Sequence, residues 1–170
     1  MKVLTIFFIL ILLSGFTDCS KKSTEPVVDD TFYINLSPQN NTIAIGDNIV
    51  LKCRINSVED LFAVVFDITF DTAFVKVDTV IFRDSGLLGE NTISFYSNIT
   101  EGISVSVGKT QTTNNDNVSG NGELFEVTFT GIYQGVSEID FENIIMVDEE
   151  GVSNPDIINL EIRSSEIIVQ

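Results

Sequence analysis

The chain has 170 residues, 44% of them apolar, and its 25 Asp and Glu against nine Lys and Arg give a formal charge of −16. That length suits one compact domain with a short appendage, and so acidic a surface repels phosphate backbones and anionic membranes, which argues against nucleic acid as a partner. Histidine is absent, so the commonest general base, the usual catalytic triads and His-containing zinc sites cannot be assembled.

At the start, Lys2 precedes an almost unbroken apolar stretch over residues 3–13, so residues 1–14 read as a signal peptide, too short to span a bilayer comfortably. Cys19 then stands where bacterial lipoproteins carry the acylated cysteine, although Asp18 and Phe16 occupy positions where a lipobox normally has a small and an aliphatic residue. Lipidation at Cys19 is the expected outcome, with ordinary secretory cleavage as the alternative. Residues 20–31 (SKKSTEPVVDDT) are polar and lack apolar periodicity. They describe a tether able to hold a domain about 35 to 40 Å from the anchor. The expected organisation is therefore an export segment over 1–19, a tether over 20–31 and one domain over 32–170, with membrane contact only through the N-terminal lipid.

From Phe32 onward the pattern predicts strands at residues 32–36, 48–56, 61–71, 75–82, 93–99, 102–109, 123–131, 137–147 and 157–169, the last broken near Ser164 and Ser165. No helix of useful length is predicted. Strict alternation in FDITFD (66–71), ISVSV (103–107) and FEVTFT (125–130) means that each of these strands buries one face only. The inward set is Phe66, Ile68, Phe70, Val105, Val107, Phe125, Val127 and Phe129, with Thr69 and Thr128 facing out. Cys53 falls on the apolar side of residues 49–56 and reads as a small core hydrophobe, with no structural disulfide expected. Turn chemistry separates the strands, as in IGDN (45–48), DSG (84–86), SGNG (119–122) and NPD (154–156). Many short antiparallel strands with differentiated faces require two packed sheets, an all-β sandwich.

The string LFAVVFDITFDTAFVKV (61–77), then ISVSVG, a Thr- and Asn-rich loop and SGNGELFEVTFTG, and finally FENIIMVDEEG followed by INLEIRSSEIIV, together resemble cohesin domains in order and spacing. The resemblance covers residues 32–169. It implies a jelly-roll sandwich of nine strands, related in fold to carbohydrate-binding modules, in which one flat sheet face grips a dockerin module during assembly of polysaccharide-degrading enzymes. This chain departs from the family's pattern where Ala63 and Val65 replace an Asn-x-Asp pair and where Lys109 matches a commonly acidic position; Leu124 matches a leucine that often joins the binding face. Those departures point to a more apolar face.

The resulting expectation is a non-catalytic binding module with no cofactor, exported and anchored at the bacterial cell surface or outer membrane. Its partner is a dockerin-like or other surface protein, met by Ala63, Val65, Asp67, Tyr96, Ser104, Ser106, Leu124 and Glu126. Direct carbohydrate binding is the alternative; with no Trp, its aromatic platform would fall to Tyr33, Tyr96 and Tyr133. Oxygen-rich stretches at residues 114–121 and at Asp148, Glu149, Glu150 and Asp156 have the composition of a calcium loop, but turn and solvation roles explain them equally, and no metal is assigned.

Overall fold

The computed structural model describes residues 30–109, 117–153 and 155–170. The expected export segment, Cys19, residues 20–29 of the tether and residues 114–116 of the oxygen-rich loop lie outside the described residues.

Among the described residues eleven strands form two sheets: β1 (Tyr33–Ser37), β2 (Asn40–Ile43), β3 (Asn48–Leu61), β4 (Ala63–Thr69), β5 (Val75–Ile81), β6 (Thr92–Ile99), β7 (Gly102–Lys109), β8 (Val118–Gly131), β9 (Gly135–Val147), β10 (Glu161–Arg163) and β11 (Ser165–Val169). One sheet has the order β10-β1-β3-β8-β5, the other β2-β11-β9-β4-β7-β6. The chain passes between the sheets at almost every connection, which is the jelly-roll path. The helical content among the described residues is a single 3-10 turn at Pro155–Asn159.

Both ends of the chain serve the two sheets in turn. Pro38, which has no N–H to donate, interrupts the first strand, so β1 stays in one sheet while β2 crosses to the other. Near the C-terminus Ser164 separates β10 from β11 in the same way, and β1 pairs with β10, and β2 with β11, in parallel. Ser165 Oγ donates to the Leu36 carbonyl across this seam. The nine strands expected from periodicity omit β2, whose NNTI sequence carries a single apolar residue; the break expected near Ser164 and Ser165 falls at Ser164, between β10 and β11, while residues 157–159, expected as strand, belong to the 3-10 turn.

The core lies between the sheets and is aromatic at its centre. The Phe66 ring on β4 stacks on Phe125 of β8 at 5.9 Å and meets Phe141 of β9 edge-on at 5.3 Å, while Phe70 meets Phe129 edge-on at 5.2 Å. All eight residues assigned inward from alternation are buried. Cys53 is fully buried in the same core, where burial pushes its thiol well above the usual range. Gly102 opens β7 because its backbone runs against β4: a Cβ there would collide with the Ile68 carbonyl.

Phe66→Ala or Phe129→Ala should each lower the unfolding free energy by about 3 to 5 kcal/mol in urea melts, since each leaves a cavity between the sheets. Thr69→Ala and Thr128→Ala should stay within about 0.5 kcal/mol. Equal damage from both classes would mean that the strand register is wrong.

Candidate docking face

The outer face of the six-stranded sheet is built by register. Across β6, β7, β4 and β9 the pairing brings Phe95, Ser106, Val65 and Ile145 into one row. Ile93, Gly108, Ala63 and Val147 form the row beside it; Ser97, Ser104, Asp67 and Glu142 form the row on the other side. At about 4.8 Å between strands, each row spans some 14 Å. The middle strand presents only Ser104, Ser106 and Gly108, so the face is low along β7 and rises at large apolar side chains on either side. Ile93 and Phe95 are each 61% exposed, Ile145 54% and Val65 37%. The apolar set is contiguous through the row that joins Phe95 to Ile145, unlike the single exposed apolar residues common on any surface.

Ile145 reaches this face because of a bulge. Val65 pairs with Ile145 but Asp67 pairs with Glu142, so β9 fits two residues, Asn143 and Ile144, opposite Phe66. Before the bulge Ile139 and Phe141 point inward; after it Met146 does. Asn143 adopts the left-handed conformation (φ 51°) that the bulge requires, and its Nδ2 donates to Asp67 Oδ2 at 2.7 Å, holding that carboxylate on the face.

Five of the residues expected at a binding face, Ala63, Val65, Asp67, Ser104 and Ser106, are brought together here. Ile93, Phe95 and Ile145 are absent from that expectation. Composition alone assigns phenylalanines to the core, and only the register of an edge strand or a bulge turns these three outward.

No family model matches this chain, and no curated protein sequence does. Solved structures do match. A non-cellulosomal cohesin from the hyperthermophilic archaeon Archaeoglobus fulgidus superposes with a TM-score of 0.63 at 17% identity, covering 82% of this chain and 91% of that one. The Clostridium acetobutylicum cohesin CaCohA2, in its complex with a variant of CaDoc0917, gives 0.67 at 18% identity, over 82% of this chain and all of that one. A type II cohesin domain from the cellulosome of Acetivibrio cellulolyticus gives 0.66 at 16%, over 81% and 95%. This chain has the cohesin fold.

Within that cohesin-type sandwich, three of the expected face residues are elsewhere. Tyr96 pairs with Val105, an inward residue, so it lies on the core side of β6 and is exposed only because β6 is an edge. Leu124 and Glu126 belong to β8, in the opposite sheet. A register shift after Cys53 makes Leu124 an inserted residue, 4% exposed, and the segment after β5 covers it: Leu87 N–H donates to the Glu123 carbonyl at 2.8 Å, and Leu88 lines the same cavity as Leu124. The alternation in FEVTFT holds, but the sheet that it faces away from is not the one that carries Val65.

Glu126 instead anchors an ionic ladder on the five-stranded sheet. It is 8% exposed, and Lys52 Nζ stands 2.9 Å from one carboxylate oxygen while Arg83 Nη2 stands 2.6 Å from the other. Lys52 also reaches Glu123 at 3.0 Å. Hydrogen bonds from Arg83 and Lys52 hold the Glu126 carboxyl down to about 2. Of the calcium-loop candidates, Asp148 turns its Oδ1 to the N–H groups of Glu150 and Val152, at 3.0 and 2.8 Å, closing the turn after β9. The side chain of Asp156 lies outside the description. Among the described residues no group of three or more acidic or sulfur ligands is placed to hold a metal ion.

Because the folded chain holds Glu126 near 2 while the ordinary carboxyl titrates near 4.5, its stabilising contribution is complete above about pH 4.5 and is lost as pH falls toward 2. Glu126→Gln should therefore destabilise the protein at pH 7, and its gap from the parent should close as unfolding is measured at successively lower pH. A gap that does not change with pH would show that the ladder is not what stabilises Glu126.

Proposed function

We propose that the chain is a non-catalytic protein-docking module of an exported, lipid-anchored protein, and that the partner sits across Ile93, Phe95, Val65 and Ile145. The observation that carries this reading is the single row joining Phe95, Ser106, Val65 and Ile145 over four strands, apolar and exposed on a fold whose similar structures include a cohesin solved in complex with a partner. A sheet face of this kind offers side chains held rigid by the ladder, so a partner binds without ordering the face first. Asp67, fixed by Asn143, supplies a polar anchor beside the apolar row. Ala63 and Val65 make this face one for a partner with an apolar centre, whether a dockerin-like module or another surface protein.

Carbohydrate binding is less well supported by the geometry. Tyr33 lies on the five-stranded sheet with the Arg163 guanidinium 3.6 Å above its ring, Tyr96 lies on the edge strand β6, and Tyr133 lies in the turn between β8 and β9. Three rings in three places do not make one platform for stacked sugar.

Display at the surface follows from the N-terminal pattern, with Cys19 as the acylated residue and residues 20–31 as the spacer. The protein should take up a fatty-acid probe and partition into detergent, and Cys19→Ser should abolish both; labelling that persists in the variant would remove the anchor from the proposal.

Docking is tested by Val65→Glu and Ile145→Glu. Each should weaken capture of the partner, recovered from the protein's own source and identified by mass spectrometry, by at least about tenfold while leaving the unfolding midpoint almost unchanged. Variants that fold and still capture that partner would place docking elsewhere. Calorimetric binding of oligosaccharides, lost on Tyr33→Ala or Tyr133→Ala, would favour the sugar reading.

A further inference from the structure

Four strands end the two sheets, and three of them are poor templates for another chain. β2 and β10 have four and three residues, while β5 carries Lys76 and Asp78 and a register break between Val77 and Thr79. β6 is different. Its eight residues, TISFYSNI, pair with β7 without interruption from Thr92 to Ile99 and contain no charge, no proline and no glycine. Among the described residues, no other backbone or side chain hydrogen-bonds to it. Its free side is a row of unpaired N–H and C=O groups flanked by exposed Ile93, Phe95 and Ile99, with none of the devices that normally blunt a sheet edge.

The charges around this edge say what could occupy it. Every Lys and Arg whose side chain is described, namely Lys52, Arg54, Lys76, Arg83 and Arg163, belongs to the five-stranded sheet or to the segment just after it. At the Ile99 end of β6, by contrast, the row continues through Gly102 and Thr69 to Asp140. There an open cleft of about 500 Å³ is lined by Asp71, Glu101, Glu138 and Asp140 together with Thr69, Phe70 and Thr72. Lys109 stands at the other end, paired with Thr92. A second copy would bring another chain of charge −16 against this one, with its own acidic end. Coulomb repulsion disfavours that occupant. A cationic chain suffers no such penalty.

We infer that β6 is a strand-addition site: an extended peptide segment of a partner, alternating apolar side chains and carrying Lys or Arg at one end, pairs with the free edge of Thr92–Ile99 and lays its basic end in the carboxylate cleft. Main-chain pairing supplies the affinity, Ile93, Phe95 and Ile99 select the apolar side chains, and the cleft sets direction and charge. This inference uses the backbone edge of β6; it shares Ile93 and Phe95 with the proposed docking face, but not Val65 or Ile145.

The probe is a fluorescein-labelled synthetic peptide of eight alternating Val and Thr residues ending in three Lys, titrated into the full-length protein at low salt and followed by anisotropy and amide hydrogen exchange. Saturable binding with slowed exchange confined to residues 92–99 is expected. Exchanging the three Lys for Glu, or combining Glu101→Gln with Glu138→Gln, should weaken binding at least about tenfold, and Val65→Glu should change it less than about twofold. The inference is overturned if a peptide N-methylated on every amide of its Val and Thr stretch binds as well, because such a chain has no N–H to give to a ladder, or if no slowing appears at 92–99. It is also overturned if sedimentation shows a dimer whose β6 amides are protected without peptide, which would assign the edge to a second copy.

Discussion

Phe66 is held between the rings of Phe125 and Phe141, one from the facing sheet and one from the neighbouring strand, and much of the molecule's geometry depends on that ring staying where it is. Successive residues of a strand point to opposite sides, so an inward Phe66 forces Val65 and Asp67 outward. The same ring faces the bulge in β9, which is why Ile145 rather than Met146 appears beside Val65. Core packing and surface composition are thus a single constraint seen from two sides: a register slip of one residue would bury the charged and small residues of the outer face and expose the rings.

How much of this was legible depended on whether period-two alternation ran unbroken. It did through residues 63–69 and 103–107, and there both the inward set and the outward Ala63, Val65, Asp67, Ser104 and Ser106 could be read directly. It failed at bulges, which shift the phase without leaving a strong mark in composition. Leu124 is one case and Ile145 another; Asn143, a residue tolerant of positive φ within FENIIMV, was the available signal for the second. It also failed at the sheet edge, where Phe95 and Tyr96 are both partly exposed and alternation cannot rank them by burial. Which sheet a strand joins is illegible in principle from periodicity, and so the pattern puts Glu126 on the wrong one.

The two sheets divide the chain's electrostatics between them. On the five-stranded sheet cations and anions interlock, as Lys52 and Arg83 do around Glu126 and Lys76 does beside Asp78. Ionic pairs of this kind add little stability where they are exposed, but they leave that surface locally balanced. The excess negative charge is left for the other sheet and the loops around it. An exposed apolar face embedded in such a field is protected from like molecules, since identical faces repel before their apolar residues can touch. For the docking proposed on the apolar row, negative charge would work as a filter on encounter that favours partners of different charge.

The split ends of the chain bear on how the domain would carry mechanical load. β1 is bonded along its length to β3 on one side and to the parallel β10 on the other, and β2 lies parallel to β11. A pull on the chain leading into Tyr33 runs along the strand axis, across all of these hydrogen bonds at once. The bonds are then sheared together instead of being peeled one at a time, and the Ser165 bond to Leu36 ties the two ends of the chain within the same patch. A domain tethered through its N-terminus would transmit tension through its strongest direction.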